Sequence, residues 1–153
     1  MVGCLVAALI VLRVVGLDPR GHWPGLWLRG KVVTTPVSDW SFTDKYETIF
    51  VETHSWYGLP HSVTVFCASY GGRLYVGSSY HPGVEFPRDR LWNKNFVRDP
   101  RVRLKIGTQI YERTLRQVTD ATEKDAVLAA YARKYRRAGG DKDRIRVFRV
   151  EPA

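Results

Sequence analysis

HSVTVFCASYGGRLYVGSSYHPGVEFPRDRLWNKNFVRDPRVRLKIG, residues 61–107, carries most of what the chain says about its fold. Two β-prone runs, residues 62–68 and 74–78, flank Tyr70-Gly71-Gly72-Arg73. A primed two-residue turn needs positive φ at both central positions, which a Gly-Gly pair adopts without steric cost, so this is a β-hairpin. A Pro-containing loop follows, then residues 90–96, a tryptophan-bearing helix of one or two turns. That helix must end near Asp99-Pro100, because proline cannot continue it. Val102, Leu104 and Ile106 then alternate with Arg101, Arg103 and Lys105, the period of a half-buried strand.

Outward from this stretch, further strands are expected at residues 30–37, centred on Val32 and Val33 with Pro36 at the end, and at residues 48–53. Residues 109–118 pair with the Arg101 strand across Gly107-Thr108. Asp120-Ala121-Thr122-Glu123 has capping-box spacing and opens a helix that buries Val127, Leu128, Tyr131 and Tyr135. Arg133, Lys134, Arg136 and Arg137 crowd its last turns, where the helix dipole favours cations, and Gly139-Gly140 stops it. In a last strand, residues 144–151, Ile145, Val147 and Val150 point inward with an irregular spacing that a bulge would explain. The expected class is mainly β, about seven strands with two helices, closing into a small antiparallel barrel over residues 30–153.

Composition narrows the class without choosing a function. A chain of 153 residues suits one domain with a real core. Two cysteines, Cys4 and Cys67, give no disulfide framework and no zinc spacing. The formal charge of +9 suits nucleic acid, an anionic membrane or a phosphorylated cofactor. The arginines form no concentrated stripe interleaved with aromatics and match no recognition motif, so no nucleic-acid partner is expected. Arginines alternating along strands also read as a solvated barrel exterior.

Residues 1–17 are apolar except for Arg13 and as a helix reach about 25 Å, against a bilayer core of roughly 30 Å. The expectation is a membrane anchor; the alternative is a helix packed on the barrel. Residues 18–29 form a Pro/Gly/Trp linker in which Trp23 and Trp27, with Arg20, Arg29 and Lys31, match a headgroup boundary or else belong to the core. Those cations place the globular part on the cytoplasmic side.

Trp92-x-x-Asn95, followed by Pro100-x-Val102 and preceded by a strand ending at Ser78, resembles the split β-barrel family of flavin- and deazaflavin-dependent oxidoreductases. That family, FMN-binding-like in fold, includes the pyridoxamine-phosphate-oxidase-like proteins and the deazaflavin-dependent nitroreductases. The resemblance runs from about Thr48 to Val118 and implies a nitroreductase/quinone-reductase activity using FMN or deazaflavin. It also implies a homodimer with the cofactor at the subunit boundary, and a small-molecule electron acceptor; with a membrane tether, a lipid-soluble quinone fits.

The candidate cofactor-binding residues are His61, Ser62, Ser78, Ser79, Trp92, Lys94 and Asn95, with Arg90 and Arg98 as further phosphate partners. Each has a plainer reading: His61 as a loop cap, the serines as turn residues, Trp92 as core, Asn95 as cap of the Pro100 turn, the cations as solvated surface. Where deazaflavin-binding relatives carry cations that hold the cofactor's acidic tail, this chain has Ser55, Trp56 and His61. No catalytic acid, base or nucleophile stands out, which a cofactor-borne reaction does not require. The alternative function is a non-catalytic barrel that binds a cofactor, haem or lipid.

Overall fold

The computed structural model describes residues 2–136 and 145–153. Six antiparallel strands form the barrel: β2 (Thr48–His54), β3 (Pro60–Tyr70), β4 (Arg73–Ser79), β5 (Arg101–Ile106), β6 (Gln109–Gln117) and β7 (Ile145–Pro152). Their order is β6-β5-β2-β3-β4-β7, and β7 pairs back onto β6, so the sheet closes. A seventh, two-residue strand, β1 (Lys31–Val32), lies parallel to β6 at the outside. The helices are α1 (Val2–Val15), α2 (Leu91–Arg98) and α3 (Ala121–Tyr135). This is the expected mainly-β split barrel.

The local chemistry read from the sequence is present. Gly71 and Gly72 have φ of 57° and 75° at the β3–β4 turn. Asp120 caps α3, accepting from the Glu123 amide at 2.7 Å. Val102, Leu104 and Ile106 line the barrel interior with Val51, Val76 and Phe148. On the outside, α3 packs Val127 against Tyr75, Val118 and Val147.

Four expectations need correction. The strand over residues 30–37 shortens to β1, because its bonds to the β6 edge run only from the Lys31 amide to the Val33 amide. No bulge interrupts β7: its register with β4 and β6 is continuous. The irregular apolar spacing has another cause, burial of both faces. Val147, with Ile145 packed beside it, meets α3, while Phe148 and Val150 enter the barrel. Helix α3 ends at Tyr135, with Arg136 in the left-handed region at φ 50°, and the stop at Gly139-Gly140 lies outside the described residues, as do Arg137 and Arg144. The outer face of β5 is also not simply solvated. Arg103 and Lys105 are half-buried there under the N-terminal segment.

That segment is fastened to the barrel. Residues 17–27 fold into a hairpin-like strap, closed by Leu17 and Leu26–Trp27 backbone bonds and tipped by reciprocal Arg20–Trp23 bonds. Buried Glu52 accepts from the Leu28 amide at 2.5 Å, and Arg103 donates to the Leu28 carbonyl at 3.1 Å. Lys105 meets Asp18 at 2.5 Å. Burial raises the Glu52 pKa, with the Leu28 amide and the Arg103 charge opposing. Helix α1, in contrast, has no buried residue, so it does not pack on the barrel. Among the described residues no helix is long and apolar enough to cross a membrane.

Candidate functional site

The barrel has one seam where neighbouring strands part. β3 and β4 pair from Tyr70–Arg73 only as far as Cys67–Val76. Beyond that point β3 follows β2, and β4 follows β7. A right-handed sheet twist separates two strands that each keep a different partner. Between Val63–Phe66 on one side and Gly77–Ser79 on the other lies a cavity of about 390 Å³. That volume is within the roughly 300–1,000 Å³ of small-molecule sites.

Trp92 and Arg90 close one end of the cavity, and the strap tip, Gly21 to Pro24, forms another wall. The strap reaches this place because Gly25 takes up the β3 edge that β4 leaves: Gly25 and Ser62 exchange backbone bonds of 2.9 and 3.1 Å. A Cβ at Gly25 would meet the Leu17 carbonyl and lie 2.5 Å from Ser62 Oγ and 2.6 Å from the Pro19 nitrogen. Only glycine fits that crossing.

The candidate residues divide. Ser78, Ser79 and Trp92 share this cavity. Ser78 is buried and accepts from Asn93 Nδ2 at 3.2 Å. The Ser79 carbonyl accepts from Arg90 Nε at 3.2 Å, which holds the guanidinium at the cavity. Trp92 presents one edge to the cavity, but its ring sits against Phe96 and Phe148 at 5.6 and 5.7 Å. It is wall and core at once.

Ser62 is fully buried beneath the strap, and its Oγ has no partner. His61 shares the barrel-facing side of β3 with Val63 but is not in the cavity lining. Burial lowers its pKa and favours the neutral imidazole. Lys94 is exposed on α2 outside the cavity. Asn95 neither reaches the cavity nor caps the Pro100 turn with its side chain. Its amide donates to Thr53 Oγ1 at 3.0 Å, and that hydroxyl donates to the His61 carbonyl at 3.0 Å, tying α2 to β2 and β3. Arg98 donates to the His54 carbonyl at 2.5 Å. Ser55 is buried and donates to the Leu59 carbonyl, while the tip of the 55–59 turn, residues 56–58, faces solvent, with Trp56 80 % exposed.

Three groups were missed. Thr64 Oγ1 is buried, has no hydrogen-bond partner, and belongs to a residue lining the cavity. A buried hydroxyl without a partner is costly, so this one marks where a ligand's polar atom would be welcome. Strand alternation gives no sign of it, since a Thr on an outer face normally meets water. Asn93 is fully buried and bonds both Ser78 and Asp89, the latter at 3.0 Å. Its i, i+4 spacing from Asp89 was the available signal. Asp89 in turn pairs with Arg146 at 2.9 Å, whose guanidinium lies over the Tyr80 and Phe86 rings. Among the described residues no His/Cys/Asp/Glu group is arranged to hold a metal ion.

No family model matches the sequence, and no curated protein matches it. Solved structures do match. The conserved hypothetical protein Rv2991 of Mycobacterium tuberculosis superposes with a TM-score of 0.59 at 16 % identity, over 82 % of this chain and 85 % of that one. A Listeria innocua protein provisionally assigned as a pyridoxamine 5′-phosphate oxidase gives 0.54 at 16 % identity, over 72 % and 86 %. HutZ, the haem storage protein of Vibrio cholerae, gives 0.52 at 16 % identity, over 73 % and 85 %. At such identities the likeness establishes the fold, and that fold is the pyridoxamine-phosphate-oxidase-like split barrel.

Proposed function

We propose that the chain is a flavin- or deazaflavin-dependent reductase of the nitroreductase/quinone-reductase type, with the cofactor's ring system in the gap between β3 and β4. The observation that carries this reading is the buried, unpartnered Thr64 hydroxyl in a cavity walled by Trp92 and Phe66 and edged by Arg90. A planar heteroaromatic ring supplies both apolar faces for such walls and an acceptor for such a hydroxyl. When bound, the cofactor supplies the hydride or electron transfer.

The chain's own residues bind and shield. Ser78, fixed by Asn93, and Thr64 offer hydrogen bonds. Among the described residues, Arg90 is the one arginine or lysine lining the cavity and the partner for a phosphate. The strap tip excludes water from one side.

The anionic tail of a full cofactor needs more than one cation, which fits a homodimer whose second copy completes the site. Helix α1, exposed along its length and apolar apart from Arg13, is proposed to hold the protein at a membrane surface, with the barrel on the cytoplasmic side. A lipid-soluble quinone would then reach the cavity from that surface.

A haem-binding reading has one observation in its favour. Among the described residues, His22 is the histidine lining the cavity, its imidazole would supply a nitrogen ligand to a haem iron, and HutZ shares the fold. One absorbance spectrum separates the two. Protein purified from its host, or incubated with FMN, deazaflavin or haemin and desalted, should carry a flavin-type band that bleaches with reductant. A haem Soret band would instead establish the second reading, and a colourless protein that retains none of the three sinks both.

A further inference from the structure

A second cavity, of about 630 Å³, opens at the other end of β4, where the β3–β4 hairpin meets the middle of β6 and the C-terminal end of β7. Trp40 and Arg113 are among its lining residues. Arg113 shares the barrel-facing side of β6 with Tyr111 and Leu115, both members of the core. It is an arginine turned toward the inside of a barrel.

Its guanidinium lies 5.3 Å from the Trp40 ring centre and 5.8 Å from that of Tyr111. Among the described residues, its single hydrogen bond is to the adjacent Glu112 carbonyl, at 2.6 Å. A guanidinium has five N–H donors in a planar fork, so most of this one's capacity is unused. Burial depresses its pKa, the direction expected when no anion offsets the lost hydration.

Two carboxylates, Glu112 and Glu151, also line this cavity, and both are paired with other arginines. Glu112 faces Arg103 at 4.0 Å. Glu151 holds Arg149 at 2.8 Å and Arg116 at 3.8 Å. Arg149 is doubly neutralised, because it also binds Glu123 at 2.8 Å. Among the described residues, Arg113 forms no ion pair. Exposed Arg73 adds a second cation at the rim.

A half-buried charge without a counter-ion, facing a cavity of ligand size, is a site built for an anion. Pro36, Val37, Trp40 and Val150 make up the apolar part of the lining, beside the hydroxyl-bearing residues Thr34, Thr35 and Ser38. We propose that this cavity is a second binding site, separate from the β3–β4 gap, for a small carboxylate with an apolar or aromatic body. The carboxylate would engage the outward fork of Arg113 in bidentate fashion while Trp40 and Tyr111 hold the guanidinium in plane. This site needs neither a flavin nor the reductase reading.

Sodium benzoate and inorganic phosphate, each against sodium chloride at matched ionic strength, are the probes. Binding to the full chain is followed by thermal midpoint and by tryptophan fluorescence. Benzoate is expected to raise the midpoint and perturb the fluorescence, and phosphate to do much less. Arg113→Met should weaken benzoate binding about tenfold or more, the size of one lost charge-assisted bond, whereas Arg90→Met in the other cavity should leave it unchanged. If Arg113→Met does not accumulate folded, Arg113→Lys carries the test, since it keeps the charge and loses the fork. Several-fold weaker binding is then expected, and unchanged affinity overturns the assignment. It is equally overturned if wild-type protein ignores benzoate, if phosphate binds as well or better, or if the response survives Arg113→Met.

Discussion

Each end of the barrel is stoppered by a tryptophan, and the two are handled differently. Trp40 and Trp92 are 6 % and 5 % exposed, and both belong to the one interior cluster. Trp40 sits where β3 and β4 are still paired, its amide bonded to the Gly72 carbonyl at 3.0 Å, with Phe42 and Tyr111 as ring neighbours. Trp92 sits where those strands have parted, on a helix that bridges the opening. The paired end keeps its backbone satisfied and is left with an unpaired cation. The parted end recruits a strap to one vacated strand edge and is left with unpaired hydroxyls. The lesson is that polar residue inventories differ at the two ends because the strand pairing does. Ligand class follows from what each end leaves unsatisfied.

The largest effect should come from removing either stopper. Trp40→Ala and Trp92→Ala should each lower unfolding free energy by about 3–5 kcal/mol in urea titration, as for other buried aromatics. If Trp92→Ala costs far less than Trp40→Ala, Trp92 is ligand wall more than core, and the comparison sharpens. Next comes Gly25→Ala. Its methyl would strike the Leu17 carbonyl and the Pro19 nitrogen, which are backbone and cannot yield cheaply. A loss of about 1–3 kcal/mol is expected, with strap cleavage by protease appearing before global unfolding. Unchanged protection would mean that the strap is not held at Ser62.

Smaller still is Asp99→Asn at the turn that ends α2. Hydrogen bonds from Arg101 hold the Asp99 carboxyl below the usual carboxylate range, at about 2. Because the folded pKa is depressed, this contribution is present above the unfolded value and is lost as pH falls through the folded one. The variant should therefore be less stable by about 0.5–1 kcal/mol at neutral pH, and the gap should narrow below about pH 4 and close as pH falls through about 2. A pH-independent gap would break this account. Glu52, whose pKa is raised, acts in the opposite sense: it favours the fold at low pH and less so as pH rises through its folded value.

The smallest effect on stability should be that of Thr64→Val. Removing a hydroxyl without a partner is expected to be neutral or to stabilise by up to about 1 kcal/mol, while cofactor retention falls. Loss of stability would show that the hydroxyl is satisfied in solution.

The architecture was legible because it rests on local rules. Gly71-Gly72 can be little other than a tight turn, the alternation through Val102–Ile106 fixes a strand face, and Asp120 with Glu123 opens a helix. The site was half legible. Ser78, Ser79 and Trp92 could be placed near one another because hairpin and helix are close in sequence. The hydrogen bond from Asn95 to Thr53 could not be read, since the two are 42 positions apart. The same distance problem hid Glu52 and Arg103, whose task is to hold residue 28.

What the sequence determined by itself was the set of elements and their facing, because turns, caps and strand periodicity act over a few residues. What only the tertiary structure decided was where the strands separate, which hydroxyls lack partners there, and that Arg113 points inward without an acid. Those are properties of closure: a barrel gives each strand two neighbours, and which polar groups are left over depends on every pairing around the ring.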